Sequence, residues 1–299
     1  MNRLAGKVAI VYGAGPNIGG TIAWFLAREG AAVVVNDINE ATAAKTVAFI
    51  TAKGHEAHAV AGDATNEDVV AAITAQAVEK YGHLDIIMNM AGIVLWRSVL
   101  EMELEEWNRA LLSFPTAGML TTKHAARAMI KNGRRGSIIH LLSTAAHFGE
   151  AEGAAYAASK AALMSFSRSA AMDLAHYGIR VNTITPCSVE HQLWTKMKDE
   201  VAEEQFVAKP GRPLYSRDDY LKNIPLERFP RASDLAHAAV FLASDEAQML
   251  TGVDIPVDGG LRFKYPTWRP GDHTGVNIRD YVRSIRRTEY GEEKDKLIE

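Results

Sequence analysis

Tyr156-Ala157-Ala158-Ser159-Lys160 sets a phenol four residues before an amine, with Ser143 upstream of both. On a helix, residues four apart share a face, so the Tyr156 hydroxyl and the Lys160 ammonium can point into one cleft. A phenol with an unperturbed pKa of about 10 is a poor base at neutral pH, but a neighbouring cation stabilises the phenolate and lowers that value. Tyr156 can then exchange a proton with an alcohol or a carbonyl. A Ser143 hydroxyl beside it can donate to the same substrate oxygen and disperse the charge that develops there. An isolated Tyr-x-x-x-Lys also occurs on solvent-exposed helices, so its meaning depends on the rest of the chain.

The N-terminus supplies a second component. Lys7-Val8-Ala9-Ile10-Val11-Tyr12 reads as a short buried strand running into Gly13-Ala14-Gly15-Pro16-Asn17-Ile18-Gly19-Gly20, and Thr21 to Arg28 reads as a helix. Strand, glycine turn and helix start make a phosphate site, because backbone N–H groups and the positive end of the helix dipole converge on an anion. The bland alternative is a plain strand-to-helix turn. Ala31-Ala32-Val33-Val34-Val35-Asn36 reads as the next strand and ends in Asp37. A carboxylate there can accept the ribose hydroxyls of an adenosine and would repel a 2′-phosphate, so NAD is expected over NADP. The following Ile38-Asn39-Glu40 holds no basic partner for a phosphate. The competing role for Asp37 is a helix N-cap, which Asn39 could fill equally well.

Strand and helix patterns alternate throughout, which predicts an α/β doubly wound Rossmann fold with a parallel sheet covered on both faces. Expected strands cover 7–12, 31–36, 56–61, 84–89, 136–142, 179–185 and 253–257. Ligands in such sheets bind outside the C-terminal strand ends. Gly13, Asp37, Asp63, Asn89, Ser143 and Pro186 all fall there.

In these ordered residues the chain resembles a classical short-chain dehydrogenase/reductase from about Gly6 to Leu261, and seven strands match the family's count. The resemblance implies a glycine-rich cofactor turn at Gly13, Gly15 and Gly19, with Asn17 and Ile18 inside it. It puts Asp63 and Ala64 against the adenine, and Asn89, Ala91 and Gly92 at the close of the fourth strand. Pro186 and Val189 fall beside the nicotinamide pocket. Ser143, Tyr156 and Lys160 match the catalytic Ser, Tyr and Lys, with Lys160 also holding the nicotinamide ribose. The implied activity is NAD-dependent interconversion of a secondary alcohol and a ketone. Family members are commonly dimers or tetramers, which implies a homo-oligomer.

Departures from the family pattern bear on that activity. Tyr12 replaces a Thr, Met90 an Asn and Cys187 a Gly. Asn17 replaces the middle glycine, tolerable because Asn enters left-handed backbone conformations more readily than most residues. Phe114 stands where the family has an Asn that helps hold a water connecting the Lys to solvent. Pro115 follows, and a proline inside a helix leaves the carbonyl four residues back, that of Leu111, without its hydrogen bond. Pro115 is therefore expected to recreate a helix distortion whose free carbonyl carries the water. The alternative is an NAD-binding protein with impaired catalysis that acts in oligomeric interaction or sensing.

Composition agrees with a globular enzyme. The 299 residues are 47% hydrophobic and carry a net charge of −3. The basic residues are dispersed, so there is no electrostatic footprint for nucleic acid. The single cysteine excludes an internal disulfide and a Cys-based zinc site. The histidines show no metal-ligand pairing, so no metal is expected. Without an apolar run of about 18 residues or a signal segment, neither membrane insertion nor export is expected, and the cytoplasm fits. One domain is expected over 1–261. Residues 190–231 are expected to form a substrate lid. Ile93-Val94-Leu95-Trp96 and His147 to Glu152 would flank a sizeable, partly apolar substrate. Residues 262–299 form an arm in which Ile278, Tyr281, Val282 and Ile285 recur at helical spacing, an apolar stripe suited to a neighbouring subunit.

Overall fold

The computed structural model describes residues 2–190 and 220–264. Most of the expected lid and the apolar stripe of the C-terminal arm lie outside the described residues.

Seven parallel strands form one sheet in the order β3-β2-β1-β4-β5-β6-β7, with the chain crossing over between β3 and β4. They are β1 (Val8–Tyr12), β2 (Ala32–Asp37), β3 (Ala57–Ala61), β4 (Ile86–Asn89), β5 (Gly136–Leu141), β6 (Ile179–Pro186) and β7 (Asp254–Val257). Among the described residues six α-helices accompany them: α1 (Ile18–Arg28), α2 (Glu40–Thr51), α3 (Glu67–Tyr81), α4 (Leu104–Lys131), α5 (Ala154–Leu174) and α6 (Ala232–Ala243). The expected strands are all present, with boundaries moved by one or two residues.

Every residue of β1 is buried, as a central parallel strand requires. Its side chains alternate between two cores. Ala9 and Val11 join the core under α1 and α6, which includes Phe25, Leu26 and Leu235. Val8, Ile10 and Tyr12 join the other, with Ile73, Leu120 and Met129 from α3 and α4. Helix starts are fixed by side chains that accept otherwise unpaired N–H groups. Asn66 accepts from Asp68 and Val69 at the start of α3, and Gly82 ends that helix in a left-handed conformation at φ 83°. Asn39 caps α2 by accepting from the Thr42 N–H at 3.2 Å. The capping role open to Asp37 is thus taken by Asn39.

One local expectation needs correction. Asn17 has φ −121°, so no left-handed conformation is required of the residue that replaces the middle glycine. Pro115 lies inside α4, which runs from Leu104 to Lys131, and, having no N–H, leaves the Leu111 carbonyl without its usual helical donor.

Candidate active site

The first βα turn is built by close backbone approach. A Cβ on Gly19 would lie 2.2 Å from the Gly13 carbonyl oxygen and 2.7 Å from the Ala14 Cα, and Gly13 itself has φ +73°. Those two glycines let α1 start hard against the end of β1, which aims its N-terminal amides out of the sheet. A Cβ on Gly15 would come within 3.4 Å of Asp37 Oδ2, so the carboxylate flanks the turn. Asp37 is buried, its Oδ1 accepts from the Asn39 N–H at 3.0 Å, and burial raises its pKa while the amides of Asn39 and Ile38 lower it. A glycine cradle with a carboxylate on its rim fits the pyrophosphate and ribose of a dinucleotide.

Asn36, which sequence reading passed over as a site residue, holds this crevice in shape. Asn36 Nδ2 donates to the Val60 and Gly62 carbonyls at 2.9 and 3.1 Å, and the Asn36 carbonyl accepts from the Ala14 N–H at 2.9 Å. This ties the ends of β2 and β3 to the glycine turn. Met90 lies under that turn, with its sulfur 2.9 Å from where a Gly19 Cβ would be. Only the polar residue closing an apolar strand signalled Asn36 in the sequence.

At the end of β3, Asp63 Oδ1 accepts from the Thr65 N–H and hydroxyl at 2.8 and 2.7 Å, which shapes the turn into α3, and Ala64 is buried beside it. Asn89 at the end of β4 is buried, and its Oδ1 accepts from the Ala91 N–H at 3.2 Å. His140 on β5 is fully buried, pairs with the Thr122 hydroxyl at 3.1 Å, and is driven down to a pKa of about 3 by burial and by Lys160. It is a neutral core histidine. Pro186 closes β6, and Val189 packs on the core beneath α1.

Ser143 follows β5 and caps the 3₁₀ turn Thr144–Ala146 by accepting from the Ala145 N–H at 3.2 Å. As an acceptor there, its hydroxyl keeps its own proton for another oxygen. Tyr156 and Lys160 sit in the first two turns of α5. The Tyr156 ring stands between Trp96 and Phe114, with ring centres at 5.6 and 5.7 Å. Its pKa is pushed up to about 12 by burial, against the lowering hydrogen bond of Ser143. Lys160 Nζ donates to the Leu141 carbonyl at 2.8 Å and lies 3.6 Å from the ring centre of Phe114. Burial brings Lys160 down to about 7. The expected pull of a cation on the Tyr156 phenol is thus outweighed by desolvation, which favours the neutral form of both groups.

The two segments expected to flank a substrate do meet. The Arg97 N–H donates to the Glu152 carbonyl at 2.6 Å, and a Cβ on Gly153 would press on the Trp96 ring at 2.7 Å. Ile93 and Phe148 are exposed nearby in the chain. Among the described residues, no cluster of His, Cys, Asp and Glu could hold a metal ion, and no helix is long and apolar enough to cross a membrane.

A glycine cradle and a Ser, Tyr and Lys set at the C-terminal ends of one parallel sheet define a Rossmann-type oxidoreductase class, and comparison with known proteins agrees. The model of the family described as Enoyl-(Acyl carrier protein) reductase matches residues 13–262. The chain belongs to the short-chain dehydrogenase/reductase family. It is 37% identical over 259 residues to the 2,5-dichloro-2,5-cyclohexadiene-1,4-diol dehydrogenase LinX of Sphingobium indicum, covering 87% of this chain and 97% of that protein. It is 35% identical over 257 residues to the cis-4-hydroxycyclohexanecarboxylate dehydrogenase of Sinomonas cyclohexanicum, covering 86% and 96%. A crystal structure of a short-chain type dehydrogenase/reductase from Mycobacterium marinum superposes with TM-score 0.76 at 30% identity, covering 87% and 97%.

Proposed function

We propose that the protein is an NAD-dependent alcohol dehydrogenase or ketoreductase acting on a secondary alcohol. The observation that carries the reading is the Tyr156 hydroxyl, flanked by Ser143 as hydrogen-bond partner and by Lys160 one helical turn on. In alcohol oxidation, Tyr156 as phenolate takes the hydroxyl proton while Ser143 holds the same oxygen. NAD⁺, when bound, supplies the hydride acceptor and a positive charge that favours the phenolate. The carbinol carbon loses its hydrogen with the electron pair, and the oxygen becomes the ketone oxygen. Lys160 as ammonium holds the ribose and offsets the charge on Tyr156. The reverse direction uses the same groups, with Tyr156 returning its proton to the alkoxide.

Asp37 supports NAD over NADP, because a buried carboxylate at the rim of the glycine turn opposes a 2′-phosphate. Relatives named for alcohols on six-membered carbon rings support a cyclic secondary alcohol, and the Trp96 ring beside Tyr156 would offer such a ring an apolar face. We also propose an assembly of identical subunits in the cytoplasm.

The test is NADH formation across cyclohexanol, cis-4-hydroxycyclohexanecarboxylate and sorbitol, with NADP⁺ in parallel and crotonyl-coenzyme A with NADH as a separate arm. Activity on a ring alcohol with NAD⁺ supports the proposal. Activity on the thioester alone overturns it. A second reading, an NAD-binding protein with little catalysis, draws on Phe114 beside Lys160; NAD binding without turnover in every arm would favour it.

A further inference from the structure

Behind the Ser143 turn lies a largely buried polar cluster that neither the cofactor crevice nor the proton-transfer set uses. Arg262 follows the glycine pair after β7, and its side chain is 7% exposed. Its Nη1 donates to Asp254 Oδ2 at 2.6 Å and to His147 Nε2 at 2.5 Å. Its Nε donates to Asp258 Oδ2 at 3.1 Å. Asp254 Oδ1 in turn accepts from the hydroxyls of Thr183 and Thr185 on β6 at 2.9 and 2.7 Å. One guanidinium therefore joins β7, the turn after it and, through Asp254, β6 to His147, the residue that closes the Thr144–Ala146 turn.

We infer that Arg262, acting through neutral His147, is a positioning residue that straps the Ser143 turn to β7. The inference rests on the role of Ser143 proposed above. His147 Nε2 lies within reach of both Arg262 Nη1 and Asp254 Oδ2, the latter at 3.2 Å. A ring nitrogen either accepts through its lone pair or donates through its proton, never both. With the proton on Nδ1, Nε2 accepts from Arg262 and the strap is closed. With both nitrogens protonated, Nε2–H faces an Arg262 donor and turns to Asp254, so the hydrogen bond from Arg262 is exchanged for an ion pair with Asp254 of the same strand.

The groups facing His147 are Arg262, Asp254 and Thr185, with Arg168 of α5 adding charge. Burial and Arg262 lower the His147 pKa, Asp254 raises it, and Arg168 lowers it; the net direction is down. The Arg262-bound form therefore holds at neutral pH and gives way to the Asp254-bound form only as pH falls below about 6.5, the ordinary histidine value.

Hydrogen–deuterium exchange of the full chain reads the strap directly, because the Ala146, His147 and Phe148 amides donate to the carbonyls of Ser143 and Thr144. Rates are corrected for intrinsic exchange and referenced to β5. Arg262→Met and His147→Leu should each speed exchange over 144–148 by about ten-fold or more at pH 7.5, the scale of losing a hydrogen bond to a charged donor. His147→Gln keeps an acceptor for Arg262 and cannot titrate, so it should exchange like the wild type at pH 7.5. It should also lack the change in exchange that the wild type shows at pH 4.5 as His147 passes from Arg262 to Asp254, a response that mere packing would not produce. Should Arg262→Met fail to fold, the His147→Leu and His147→Gln pair decides. Unchanged exchange in His147→Leu, or a pH 4.5 response that persists in His147→Gln, overturns the inference. Exchange needs no substrate, so a failed alcohol panel sinks the proposed function alone, and unchanged exchange sinks the strap alone.

Discussion

The ring centre of Phe114 lies 3.6 Å from the Nζ of Lys160, in a space closed by Leu142 and Leu163. A family asparagine would offer this ammonium a polar neighbour; this chain offers the face of a benzene ring. Cation–π attraction reaches about 2 kcal/mol at a desolvated site, less than an ammonium loses on leaving water. Burial accordingly brings the Lys160 pKa down to about 7. Its charge, and whatever depends on it, is therefore sensitive near neutral pH.

Turnover that needs the Lys160 ammonium should fade as pH rises through about 7. Phe114→Leu removes the π face, disfavours the charged form and should move this alkaline limb down by about one unit. Phe114→Asn should move it up. Profiles of kcat/KM against pH check both, and superimposable limbs in the three proteins would deny Phe114 any hold on Lys160. Stability has the matching sign. Between about 7 and the ordinary lysine value near 10.5, the unfolded chain binds the extra proton, so stability rises with pH. Lys160→Met should flatten that rise in denaturant titrations.

Changing Tyr156 to Phe removes the ionisable hydroxyl and keeps the ring packed between Trp96 and Phe114. Turnover should fall by at least the ~10²-fold typical of lost acid–base catalysis, while NAD affinity persists. Steady-state kinetics with fluorescence titration of NAD measures the two separately. Surviving turnover would mean that the proton travels elsewhere.

Asp37→Ala removes the carboxylate on the rim of the glycine turn and leaves Asn39 in place as the α2 cap. NAD binding should weaken much more than NADP binding, since the same group accepts from ribose hydroxyls in one and repels phosphate in the other. The ratio of the two Kd values is the readout, and a ratio unmoved from wild type would take Asp37 out of the cofactor site.

Gly19→Ala should abolish tight cofactor binding and lower the melting temperature, because its Cβ would lie 2.2 Å from the Gly13 carbonyl oxygen, a backbone atom with nowhere to go. Gly149→Ala is the control, since nothing lies within 4 Å of a Cβ there. Equal melting temperatures and NAD affinities for the two variants would show that the turn is looser than drawn.

The order of strands and helices, the glycine turn, Asp37 at the end of β2 and the helical spacing of Tyr156 and Lys160 were legible in the sequence. Each is a local pattern: side-chain period, backbone freedom and helical repeat act over a few residues. Even the choice between Asp37 and Asn39 as the cap of α2 turned on positions two apart. The sequence also marked Phe114 as a departure. It could not say that the ring would lie over Lys160, because that depends on how α4 packs on α5.

Tertiary structure decided what long-range contacts and burial govern. His147 and Arg262 are 115 residues apart in the chain and meet only because β5, β6 and β7 are neighbours in the sheet. Asn36 reaches the carbonyls of Val60 and Gly62 for the same kind of reason. The pKa values turned on desolvation, and spacing alone predicted the wrong direction for Tyr156. A residue's type fixes which charge it can carry; only its distance from water, set by the packed fold, decides what that charge costs.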